Sequence, residues 1–126
     1  MASLHLLSDK ENIGSTHIIF IHGLGGNETE TWSSRKSKSN FWPLWLSEDN
    51  DDVNIWSVGY SAKKLTFIDE GMGLIDHASN IFERIIKTEQ LLEGELIFIC
   101  HSLGGLIVKQ ILRIANEQVK RPLAQD

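Results

Sequence analysis

The stretch FICHSLGGLIVKQIL, residues 98–112, constrains this chain more than any other. An apolar run ends at Cys100, and a helical pattern begins by Leu103, so His101 and Ser102 must make the turn between them. The run ELIFIC is continuous rather than alternating, the pattern of a strand covered on both faces. A strand that turns this sharply into a helix has room for one reactive group at its apex and for small residues two positions to either side. Cys100 and Gly104 fill those positions around Ser102. Gly105, one residue on, is read as a second small residue that lets the helix approach the sheet.

Two more apolar runs, Ile18 to Ile21 and Val53 to Val58, match the first, so strands are expected near 17–21, 53–58 and 95–100. SLHLL (3–7) adds a short edge strand. Helical spacing appears between the runs. In 72–92, Ile75, Ala78, Phe82, Ile85 and Ile86 form an apolar face opposite Asp76, Asn80, Glu83 and Lys87. In 103–118 the face is Leu106, Ile107, Ile111, Leu112 and Ala115. NFWPLWLSE (40–48) reads as a short helix capped by Asn40, with Pro43 in the first turn, where a missing N–H is tolerated. GNETETWSSRKSKSN (26–40) reads as the one long loop. Strands alternating with helices imply right-handed crossovers and a parallel sheet of three to four strands between helical layers, with ligands outside the carboxyl ends of the strands. The first run leads into HGLGGN and the third into HSLGG, so both chemical stretches fall at that one edge.

The composition narrows the function. Hydrophobic residues are 41% of the chain and charged residues 23%, enough for a packed core. A net charge of -5 offers no basic footprint for nucleic acid. A single cysteine excludes an internal disulfide and a zinc site built from several thiolates, and fits a reducing compartment. The N-terminal MASLHLLSDKENIG lacks the basic start and apolar stretch of a secretion signal, and no apolar run approaches the ~20 residues that span a bilayer. These features lead to an intracellular expectation, cytoplasmic or associated with an organelle or membrane, with membrane contact only at the periphery.

Ser102 has two readings, a nucleophile on a strand–turn–helix corner or a helix cap. A cap needs neither small neighbours on both sides nor a second glycine loop at the same sheet edge, which favours the nucleophile. An acyl-transfer site also needs two backbone N–H groups aimed at the developing oxyanion. Leu103, after the serine, supplies one, and Leu24, in the HGLGG loop, is expected to supply the other. Gly23, Gly25 and Gly26 let that loop approach a substrate, His22 orders it, and His101 packs or bonds locally. The competing phosphate-cradling reading of GLGG lacks both the G-x-x-x-x-G-K-[ST] and the G-x-G-x-x-G spacing.

IIFIHGLGGNETETW, FWPLWL, NIWSVGY, IDHASNIFERI and IFICHSLGGLIVKQIL together resemble the α/β-hydrolase superfamily. More narrowly, they resemble its serine esterase and lipase-like group, which includes serine-active-site-containing proteins and the hydrolase modules of NACHT and NB-ARC proteins. That resemblance implies a three-layer α/β-hydrolase fold, a carboxylic ester hydrolase acting on an ester or acyl-lipid substrate in lipid metabolism, and no metal or other cofactor. In that group the catalytic acid and histidine follow later strands, after the serine. Here the sequence ends at KRPLAQD, one helix after Ser102. His5, His17, His22, His77, His101 and Asp76 all stand on the wrong elements to replace them. Residues 1–126 are therefore expected to be the N-terminal part of one hydrolase domain, completed by a fused or partner segment that extends the sheet. A non-catalytic binding or signalling module derived from a hydrolase, or an inactive fragment, is the alternative.

Overall fold

The computed structural model describes residues 2–8, 13–23, 27–33, 41–60 and 73–125, the side chains of Glu30 and of 119–125 excepted. In chain order the elements are β1 (Ser3–Leu6), β2 (Thr16–Ile21), α1 (Pro43–Asp49), β3 (Val53–Gly59), α2 (Gly73–Ile86), β4 (Glu95–Cys100) and α3 (Leu103–Gln125). Short 3-10 turns form at Glu30–Trp32 and Glu89–Leu92.

The strands make one four-stranded sheet in the order β1-β3-β2-β4. β2 is central and parallel to both neighbours, so Ile21 lies between Val58 and Cys100 at the carboxyl edge. The three expected strands thus have the expected direction, and β1 is the short edge strand, antiparallel to β3. Alternation divides the core into two layers. Ile19, Ile21, Trp56 and Val58 face α2 and α3, meeting Ala78, Ile81, Phe82, Ile85, Ile107 and Ile111. Phe20 and Ile55 face the other way, toward Trp32, Phe41 and the partly buried Leu44 and Leu46 of α1.

The helical faces are rotated from the sequence reading. In α2 the buried set is Ala78, Ile81, Phe82 and Ile85, while Ile75 and Ile86 are exposed. In α3 it is Ile107, Val108 and Ile111, while Leu106 and Leu112 are more than half exposed. Apolar residues stand on more than one face of each helix, and packing against the sheet selects the stripe. α1 begins at Pro43 as expected, but its cap position is Trp42, which makes no side-chain capping bond. Asn40 lies outside the described residues, as do 34–39 of the supposed long loop and all of 61–72. The described part of that loop is not featureless: it forms the Glu30–Trp32 turn, and Ser33 bridges Phe41.

The amino edge of the sheet carries a buried polar network. His17, 1% exposed, bonds the Glu93 carbonyl through Nε2 and accepts the indole N–H of Trp56 at Nδ1. Asn54 donates to the Gly14 carbonyl and accepts the Gly14 N–H. Such satisfied groups fix the approach of chain segments and leave no lone pair for chemistry. On the far side, β4 pairs only with β2 among the described residues, and Glu95, Leu96 and Ile97 are exposed. No helix among the described residues is long and apolar enough to cross a membrane.

Candidate active site

Ser102 stands where β4 gives way to α3, with φ at +54°, the one described non-glycine residue in the left-handed region. For an L-residue that conformation costs about 1–2 kcal/mol, so neighbouring bonds must hold it. The His101 N–H donates to the Ile21 carbonyl at 3.0 Å. The Gly104 N–H donates to the His101 carbonyl and the Gly105 N–H to the Ser102 carbonyl, each at 3.0 Å. A helix N-cap takes β-region dihedrals, which Ser102 does not. The residue is also exposed. The corner therefore presents a strained serine to solvent at the carboxyl edge.

Two glycines make the corner possible. A Cβ on Gly104 would lie 2.4 Å from the Ile21 carbonyl oxygen and 2.9 Å from that of His22, so α3 starts in direct backbone contact with the end of β2. A Cβ on Gly23 would lie 2.9 Å from the Ser102 Cβ and 3.3 Å from the Leu103 nitrogen. The chain after β2 thus runs against the serine and the first N–H of α3. Leu24, Gly25 and Gly26 lie outside the described residues. Gly105 does not have the role the sequence suggested: a Cβ there would meet nothing within 4 Å among the described residues, because the close approach belongs to Gly104 alone.

His22 is fully buried and its ring bonds on both sides. Nδ1 donates to the Gly23 carbonyl at 3.0 Å, and Nε2 accepts the Tyr60 N–H at 3.4 Å. Burial holds its pKa below the ordinary histidine value, so the ring is neutral. It orders the turn, and both nitrogens are occupied. His101 is exposed, and its ring lies edge-on to Trp32 at 6.4 Å. His77, on α2, packs against Tyr60 at 5.0 Å, and burial lowers its pKa too. Burial raises the Cys100 thiol and the Tyr60 phenol, which keeps both protonated. Tyr60 was not singled out from the sequence. Its signal was its place, the first residue after the third strand, at the edge where His22 and His101 also stand.

A pH dependence follows from His22. Its folded pKa lies below its unfolded value of about 6.5, so between the two the unfolded chain binds more protons and stability rises with pH. Stability is complete above the unfolded pKa and is lost as pH falls from there through the folded pKa, because an imidazolium would set a ring N–H against the Tyr60 N–H. Melting temperature should therefore drop between pH 7.5 and 5.5, and His22→Asn, which keeps a donor for Gly23, should flatten the drop. An unchanged slope in that variant would assign the proton uptake elsewhere.

The remaining histidines are far from this corner in the sheet. His5 bonds Ser3 on β1, and His17 lies at the amino edge. A cleft of about 850 Å³ opens at the amino edge, beside Gly14, His17, Asp52 and Glu93. Ligands of parallel sheets sit at the opposite, carboxyl edge. No group of three or more metal-ligating side chains occurs among the described residues.

A mostly parallel sheet with flanking helices defines an α/β module. The chain belongs to the family described as "Putative serine esterase (DUF676)", whose profile matches residues 12–125. It is similar to Protein SERAC1 of Danio rerio, 26% identical over 116 residues, and to Protein SERAC1 of Homo sapiens, 27% identical over 117. The matches cover 75% and 79% of this chain and 18% of each relative, so the chain spans under a fifth of their length. No solved structure matches.

Proposed function

We propose that residues 1–126 form the nucleophile half of a carboxylic ester hydrolase in which Ser102 attacks the substrate carbonyl. The observation that carries this is the exposed, left-handed Ser102 packed against Gly23. The N–H of Leu103 and that of Leu24 receive the oxyanion, and Gly25 and Gly26 keep the loop free of side chains. The Ser102 Oγ–acyl bond forms as the ester C–O bond breaks, the alcohol leaves with the serine proton, and water then cleaves the acyl-enzyme to the carboxylic acid and the free hydroxyl. The base is a histidine, oriented by an acid, supplied by a fused or partner segment. That segment pairs with the open edge of β4 and covers Leu96 and Ile97. The substrate is an ester, the class that the family description supports, and we propose that it is of acyl-lipid type and met inside the cell.

A fluorophosphonate probe tests this reading on the 126-residue chain and on a chain extended by the downstream segment. The extended chain should label rapidly and lose labelling on Ser102→Ala, while the short chain labels weakly, since a hydroxyl without its base is a poor nucleophile. Labelling that survives Ser102→Ala removes Ser102 from the mechanism. Fast, Ser102-dependent labelling of the short chain would move the base to a histidine within it.

A further inference from the structure

Tyr60 makes three contacts to a single residue. Its O–H donates to the His22 carbonyl at 2.6 Å, its N–H donates to His22 Nε2, and the two rings stack 4.2 Å apart with their planes 11° from parallel. His22 in turn holds the Gly23 carbonyl through Nδ1. Two consecutive carbonyls are thereby anchored at the point where the chain passes Ser102. In a planar trans peptide the N–H that follows a carbonyl points the opposite way. Anchoring the His22 carbonyl sets the direction of the Gly23 N–H. Gly23 leads into the loop from which the proposed site draws an oxyanion donor.

We propose that Tyr60, acting through His22, is the positioning residue for the oxyanion-binding backbone opposite Ser102; this rests on the serine-esterase reading above. Tyr60 touches no reacting atom. It is 7% exposed, and both its O–H and its N–H end on His22, so it braces the turn from the α2 side of the sheet while leaving the Ser102 side open. The buried phenol stays protonated and remains a donor. The stacked ring contributes to the core whether or not the hydroxyl is present, which separates the two roles experimentally.

Tyr60→Phe deletes the O–H and keeps the ring and the N–H. In the full-length protein, with rates normalised to the folded fraction and read well below the melting temperature, the maximal labelling rate by the fluorophosphonate probe should fall about 10- to 100-fold, less than the loss of a whole oxyanion donor. The probe concentration for half-saturation should stay unchanged. Hydrogen–deuterium exchange of peptides covering residues 21–27 should accelerate, while those covering β4 do not. A structural role alone would shift the folded fraction and leave the normalised rate intact. Ser102-dependent labelling within twofold of the parent in Tyr60→Phe overturns the inference and leaves the esterase reading standing. Exchange around residues 21–27 that matches the parent also overturns it. Labelling indifferent to Ser102→Ala overturns the esterase reading itself, and the positioning role with it.

Discussion

Gly104→Ala should destabilise the chain by about 3 kcal/mol, whereas Gly105→Ala, one residue on, should stabilise it by about 0.5–1 kcal/mol. The added methyl at 104 would lie 2.4 Å from the Ile21 carbonyl oxygen, and its other near neighbours are also main-chain atoms of β2 and the turn after it. No rotamer relieves such contacts. That same carbonyl receives the His101 N–H, so moving it away also loosens the corner that holds Ser102. The first turn of α3 must lift off the sheet by roughly an ångström to restore ordinary contact. At 105 the same methyl meets nothing within 4 Å among the described residues, and the substitution mainly removes backbone freedom from the unfolded chain. Urea midpoints at unchanged m-value read both effects. Equal midpoints for the two variants would show that α3 does not start in contact with the end of β2.

The strands were legible because the runs IIFI and IFIC leave no polar face, but only IIFI is covered on both sides, whereas Ile97 is exposed and Phe98, Ile99 and Cys100 are half-buried because β4 stands at the edge of the described sheet. The helical faces were not legible to the same degree. Ile75 and Ile81 are equally apolar, but only Ile81 shares a face with Ala78 and Ile85 once α2 lies on the sheet. Leu106 and Leu112 misled in the same way, since hydrophobicity marks what can be buried and not what is.

At the candidate site, the small residues around Ser102 carried local information. Gly104 is small because two carbonyls press on it, and Gly23 because the His101 carbonyl and the Ser102 Cβ do. Gly105 looked the same in sequence, yet nothing among the described residues presses on it. The contacts of Tyr60 to His22 depend on β3 and β2 ending side by side, a non-local fact at which its place after a strand only hinted. His22 bonds the Gly23 carbonyl and stacks on Tyr60, contacts that its place in the sequence did not reveal.

Ser102→Gly should make the chain more stable while removing its chemistry. At φ +54° a serine carries the penalty of the left-handed region, which glycine does not feel. Glycine returns part of that gain through its larger unfolded-state freedom. The balance is a stabilisation of about 1 kcal/mol, or roughly 4 °C in melting temperature for a chain of this length. Ser102→Ala keeps the strain and should not share the gain, so the pair separates backbone conformation from loss of the hydroxyl. On the proposed esterase reading, Ser102-dependent turnover should fall on the order of a millionfold for either variant, the scale seen when a serine hydrolase loses its nucleophile. A corner maintained only for folding would have every reason to hold glycine at this position. A serine held there against its conformational preference is the expected signature of strain retained for reactivity. Scanning calorimetry of the parent, Ser102→Ala and Ser102→Gly decides the first half of this argument, and a melting temperature for Ser102→Gly below that of Ser102→Ala would sink it.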